Sequence, residues 1–256
     1  MVTELHTHGF HVAKLGNTPS EYEDAFTVDI EAGRFAIADG ATESCFARQW
    51  AQLLTTGFLA NPHCLAGTGR RKTRKIRISE WLAPLQSAWQ KGIDWETLPW
   101  YAREKTRRGA CATFLGLVLD NKPASSSGSA RWQAIAIGDC VLFHIQDNQL
   151  KTAFPLTRSS DFGISPLLIC SNEARNQAVV NEARVRKGEW YPSDLFVLCT
   201  DALAQWFLAQ WEAGTKPWSV LSSLSSQEEF EKLVIQLCNE HSVRNDDMTA
   251  IVISTR

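Results

Sequence analysis

The chain reads as an α+β fold, mainly antiparallel sheet with helices packed on it. Three observations predict this. Apolar, strand-length runs outnumber helical stretches, and many successive runs are joined by short turns. Five short acidic motifs also sit at the ends of such runs: Glu23-Asp24, Asp39-Gly40, Gly138-Asp139, Thr200-Asp201 and Asp246-Asp247. No internal repeat and no interdomain linker breaks the pattern, so residues 1–256 read as one domain.

The elements follow in order. His6, His8 and His11 fall in a terminal strand, with His6 and His8 on one face and His11 on the other. Such a His set could bind a metal, but a partly exposed strand is the simpler reading. Ala25 to Val28 and Arg34 to Ala38 read as strands joined by a turn at Glu31-Ala32-Gly33. A helix is expected from about Ser44 to Leu59, with Phe46, Trp50, Leu53 and Leu54 at helical spacing and Asn61-Pro62 as its stop. Residues 66–77 are basic and contain glycine, yet Arg71 stands where a phosphate-binding P-loop needs Gly, so a solvated loop is expected. A surface for an acidic partner or a phosphopeptide is the sharper alternative. The spacing of Trp81, Leu82, Leu85 and Trp89 predicts a helix over 78–91.

Cys111 to Leu119 and Trp132 to Ile137 read as strands around a polar hairpin tip at 124–130, followed by a strand from Val141 to Ile145. Residues 155–190 lack strong periodicity and read as irregular, a length of loop that is often functional. Leu195 to Cys199 is a short buried strand. Helices are expected over 202–212, where Trp206 and Trp211 would pack in the core, and over 227–241. A polar turn then feeds the last strand.

Composition sets limits. The 44% hydrophobic and 21% charged content is that of an ordinary globule, and ten Trp with twelve Phe can fill a sizeable core. A net charge of -2 gives no global attraction to nucleic acid or anionic membrane, and neither is expected as a partner. No apolar run is long enough to span a bilayer, and Met1 to Phe10 lacks the features of a signal peptide, so a cytoplasmic location is expected. The cysteines are odd in number, and no two are spaced C-x-x-C. They read as buried, reduced thiols rather than as a disulfide or zinc framework, with Cys111, Cys140 and Cys199 in apolar runs.

The acids carry the chemistry. Each has a structural alternative: Asp39-Gly40 as a plain turn, Asp201 as a helix N-cap, Asp246-Asp247 as a loop end. Jointly they point elsewhere. A carboxylate past a buried strand needs a cation or strong donors, or it protonates. No His lies near these motifs, so the donors are all oxygen, which favours Mg²⁺ or Mn²⁺ over Zn²⁺. Two such ions can activate a water and clamp a phosphoryl oxygen, which suits phosphoester hydrolysis.

In this order the motifs resemble the metal-dependent serine/threonine protein phosphatases of type 2C, in their bacterial form. The matching pieces are Tyr-Glu-Asp-Ala-Phe (22–26), Ala-Ile-Ala-Asp-Gly-Ala (36–41), Gly-Ala-Cys-Ala-Thr-Phe (109–114), Ile-Gly-Asp-Cys (137–140), Leu-Cys-Thr-Asp-Ala-Leu (198–203) and Asn-Asp-Asp-Met-Thr-Ala-Ile-Val-Ile (245–253). The resemblance implies two stacked antiparallel β-sheets flanked by helices, with a dinuclear Mn²⁺ or Mg²⁺ site at one edge. It implies that Asp39 bridges the metals, that the Gly40 carbonyl binds one, and that Asp201 and Asp246 bind the other. Glu23 and Asp24 would hold metal-bound waters, and Asp139 with Asp201 a third, weaker ion. Thr113 would support the sheet, and 155–190 would form a flap over the substrate.

The implied function is hydrolysis of phosphoserine or phosphothreonine in a protein, with a serine/threonine kinase as an opposing partner. Departures from the family pattern keep two alternatives open. No Arg stands in 17–22, where the family carries its phosphate-binding Arg, and Lys14 is the nearest upstream cation. The family's Asp-Gly-x-Gly reads Asp39-Gly40-Ala41-Thr42 here, its later Asp-Gly pair reads Asp201-Ala202, and Gln205 replaces an acid. The alternatives are a catalytically weak regulator that binds a phosphoprotein, and a small-metabolite phosphatase.

Overall fold

The computed structural model describes residues 4–65, 71–120, 129–163, 165–177 and 179–255. Twelve strands are found among them: β1 Leu5–Val12, β2 Ala25–Asp29, β3 Arg34–Ala38, β4 Cys111–Ala112, β5 Phe114–Leu119, β6 Ala130–Ile137, β7 Val141–Gln146, β8 Gln149–Phe154, β9 Ile169–Cys170, β10 Arg184–Trp190, β11 Leu195–Cys199 and β12 Met248–Thr255. The helices are α1 Ala47–Ala60, α2 Arg71–Gly92, α3 Trp100–Arg107, α4 Val179–Glu182, α5 Asp201–Glu212, α6 Pro217–Ser223 and α7 Gln227–Asn239.

Two five-stranded antiparallel sheets form, ordered β1-β12-β11-β7-β8 and β10-β6-β5-β3-β2, with β4 and β9 pairing separately. The period-2 alternation of each strand divides its side chains between two layers. Phe35, Ile37, Leu115, Leu117, Phe196, Leu198, Ile251 and Ile253 face the space between the sheets and are buried there. The opposite set on β3 and β6, including Ala36, Ala38, Ile135 and Ile137, packs on Trp50, Leu54 and Phe58 of α1 and Trp81 of α2. Val141, Phe143, Val197 and Ala250 do the same against Leu203 and Phe207 of α5 and Phe230 of α7. The result is a helix–sheet–sheet–helix sandwich, in line with the expected fold class.

Several expectations are corrected. Residues 66–70 and 121–128 lie outside the described residues, but 71–77 belong to α2 rather than to a loop. Arg and Lys are good helix formers, so the helix of 78–91 continues back through them. The expected strand from Cys111 to Leu119 breaks at Thr113. Residues 155–190 are not wholly irregular, since they hold β9, α4 and the edge strand β10. Trp206 is buried as expected, whereas Trp211 is 39% exposed. Cys111 is not a free thiol: it is bonded to Cys170, 59 residues away, across the β4–β9 pair. Cys140 and Cys199 are buried free thiols, and burial pushes both above the ordinary thiol range.

Candidate active site

The acidic motifs converge on one rim of the sandwich, and the backbone explains how. Asp39 follows β3, and its carbonyl accepts the Thr113 N–H at 2.8 Å. The break in the 111–119 strand therefore supplies the donor that holds Asp39. Gly40 bridges Ala112, and the Ala41 N–H donates to the Cys111 carbonyl at 2.9 Å. A Cβ on Gly40 would lie 2.6 Å from the Glu23 carbonyl, so only glycine lets the Glu23-Asp24 segment approach Asp39 so closely. Gly138, at φ 97°, turns the chain after β6 and places Asp139 at the same rim.

Asp24 is 1% exposed. Its Oδ2 accepts from the Thr249 hydroxyl at 2.7 Å, and Thr249 Oγ1 lies 2.5 Å from the Tyr22 hydroxyl. Asp201 is the first residue of α5, after the N-cap Thr200, and its Oδ1 accepts from the Ala202 N–H at 2.5 Å. A helix N-terminus favours a carboxylate there. Asp247, next to Asp246, is a backbone anchor: its two oxygens accept from the Lys14 N–H at 2.8 Å and the Glu23 N–H at 2.6 Å.

Crowding and burial push these acids upward. Asp39 stands well above the carboxylate range, first through burial and then through Asp24, Asp201, Asp139 and Asp246. Asp24 is raised by burial and by Asp247 and Asp201. Burial, then Asp201, pushes Asp139 up to about 7. Glu23 is raised mainly by burial, and so is Asp201, which Arg244 opposes. Buried like charges of this kind are stable only when protonated or matched by cations.

One cation is already present. The Arg244 guanidinium reaches Asp246 Oδ2 at 2.9 Å and also bonds Asp201 Oδ2. Among the described residues no group of three or more His, Cys, Asp or Glu side chains is arranged to hold a metal ion as it stands. The donor chemistry nevertheless fits a hard divalent cation. Among the described residues the buried Asp24 Oδ1 and Asp139 Oδ1 have no hydrogen-bond partner, and the acids that raise one another are all oxygen donors. The misfit lies in Asp201 and Asp246, which face Arg244.

Sequence reasoning missed Arg244, though it lies two residues before Asp246. It also missed Arg48 on α1, which donates to the Pro19 carbonyl at 3.3 Å and lies 5.9 Å over the Tyr22 ring. That puts a cation beside the segment that lacks one of its own. Gln205, standing where an acid was expected, donates to the Ser159 carbonyl at 3.3 Å and so ties α5 to the 155–190 segment.

Comparison with protein-family models and with curated proteins gives no match. Solved structures do match. The Mycobacterium tuberculosis serine/threonine phosphatase PstP/Ppp is 14% identical, with 98% of each chain covered and a TM-score of 0.61. The catalytic domain of PstP in complex with two manganese ions is 14% identical, with 99% of each chain covered and a TM-score of 0.59. RsbX in complex with magnesium is 15% identical, with 98% of this chain and 96% of that one covered and a TM-score of 0.53. Across its length the chain has the fold of the metal-dependent serine/threonine phosphatases of type 2C.

Proposed function

We propose that the chain, acting over 1–256 as one catalytic domain, is a Mn²⁺- or Mg²⁺-dependent phosphatase of phosphoserine or phosphothreonine in proteins. The observation that carries this reading is the gathering of Asp24, Asp39, Asp139, Asp201 and Asp246 at one rim, close enough that Asp39 is raised by all four others. Bound metal would supply Lewis-acid activation of a water and of the phosphoryl oxygens. The chain's own residues set the stage. Asp39, the Gly40 carbonyl, Asp201 and Asp246 would hold the ions. Glu23 and Asp24 would orient water near them, and Asp139 would share a weaker third position with Asp201. The Thr249 hydroxyl, itself bonded to the Tyr22 hydroxyl, fixes Asp24, and Asp247 fixes the backbone of Glu23.

The fold supports a phosphoprotein substrate, and a serine/threonine kinase would be the opposing partner. One observation favours a second reading. Arg244 neutralises two of the proposed ligands, as in a phosphoprotein-binding regulator that does not turn over. The test is hydrolysis of p-nitrophenyl phosphate and a phosphothreonine peptide, first with EDTA and then with Mn²⁺ or Mg²⁺. Turnover that needs metal supports the phosphatase. A folded protein that binds phosphopeptide without turnover supports the regulator.

A further inference from the structure

Two cavities adjoin beside the acidic rim. The nearer one, about 660 Å³, lies between the loop after Asp39-Gly40, the C-terminal end of α3 and the stretch after β9. Lys105, Arg107, Arg108 and Arg175 line it against two carboxylates, Glu43 and Glu104. Arg107 pairs with Glu104 at 3.6 Å, but Lys105 and Arg108 have no ion pair among the described residues. Arg107, Gly109 and Asn172 also line the second cavity, about 520 Å³, which runs on to Trp89 and Trp95. The buried Thr106 hydroxyl lines that second cavity and has no hydrogen-bond partner among the described residues.

The groove lies beside the proposed site. Ala41 lines it two residues past Asp39, and the Lys105 charge acts on Glu23. Its walls are held together. The Cys111–Cys170 bond joins them, and the Ala110 and Ser171 backbones are tied by a Ser171 N–H to Ala110 carbonyl bond of 2.8 Å. A groove set before binding loses less ordering entropy when a flexible chain enters. Exposed guanidinium groups on both walls suit carboxylates or phosphates along an extended peptide. A long polyanion fits poorly, because Glu43 and Glu104 line the groove and the acidic rim lies beside it.

We propose that this groove binds the substrate chain next to its phosphorylated residue and selects phosphoproteins with acidic residues there. Arg107 and Arg108 on one wall and Arg175 on the other read those acids. The idea deepens the phosphatase reading and rests on it for the position of the phosphoryl group.

The test compares two phosphothreonine peptides on the full chain, one flanked by Asp and Glu, the other by Lys. Each serves as a substrate with Mn²⁺, read as kcat/KM, and as a labelled ligand with chelator, read by fluorescence anisotropy. The expected preference for the acidic peptide is about tenfold or more. It should collapse in Arg107→Glu/Arg108→Glu and, separately, in Arg175→Glu, with circular dichroism checking that each variant is folded. Equal responses to the two peptides in the wild type, or a preference that survives both charge reversals, overturn the groove. A preference in anisotropy without turnover of either peptide keeps the groove and sinks the phosphatase reading. Turnover without preference does the reverse.

Discussion

At the residue scale the candidate site is a set of carboxylates held close against their own repulsion. Asp139 gives a test of sign. Its carboxyl is pushed from 3.8 up to about 7 in the folded chain, by burial and then by Asp201. Across that window the folded chain keeps a proton the unfolded chain has released, so this group's contribution to stability is lost as pH rises. In chelator, Asp139→Asn should therefore gain melting temperature over the wild type between acid and neutral pH, with the two converging in acid. A gap that does not grow with pH contradicts the assignment.

Arg244 gives a second residue-scale test. A divalent cation that takes Asp201 and Asp246 together must displace its guanidinium. Arg244→Ala should bind Mn²⁺ about tenfold more tightly by calorimetry, the size of one charge-assisted contact removed. Unchanged affinity would mean the arginine and the metal do not compete. The acids themselves were legible because each stands at the end of a strand-length apolar run. Arg244 was not legible, because an exposed arginine in a polar turn carries no pattern until Asp201, 43 residues away in sequence, is brought to it.

At the element scale, the two-residue strands β4 and β9 connect the 155–190 segment to the backbone beside Asp39 and Gly40. So short a ladder is weak by itself, and the Cys111–Cys170 bond carries the tie. Cys111→Ser/Cys170→Ser should lower stability by about 2–4 kcal/mol in denaturant unfolding. Amide exchange should speed up first over residues 169–176, and uniform protection would show that the strand holds without the bond. The pairing was invisible in sequence because it depends on a tertiary approach across 59 residues. β10 was invisible for another reason. Arg184-Val-Arg-Lys-Gly-Glu-Trp190 is a charged edge strand, and charges that protect an edge erase the apolar signal. The helix α3 was missed as well, since only Thr106 of its eight residues is buried.

At the scale of the whole molecule, two sheets and two helical layers exist to hold strand ends together. β3, β6, β11 and β12 were readable within a few residues because each is a strand-length apolar run. The stacking of the sheets followed from the family resemblance rather than from periodicity. The inter-sheet layer is close-packed, with Phe35 wholly buried, so Phe35→Ala should cost about 3–5 kcal/mol by chemical denaturation. A loss below about 1 kcal/mol would mean that the layer is loosely packed. The net charge of -2 conceals a separation that only the fold reveals, an acidic rim beside a basic groove.

The most direct test of the central claim is calorimetric titration of Mn²⁺ into chelator-stripped protein, wild type beside Asp39→Asn. About two ions should bind the wild type, and a folded Asp39→Asn should lose that binding. No binding heat in the wild type, or an equal isotherm in the variant, would contradict the claim that these carboxylates form a metal centre.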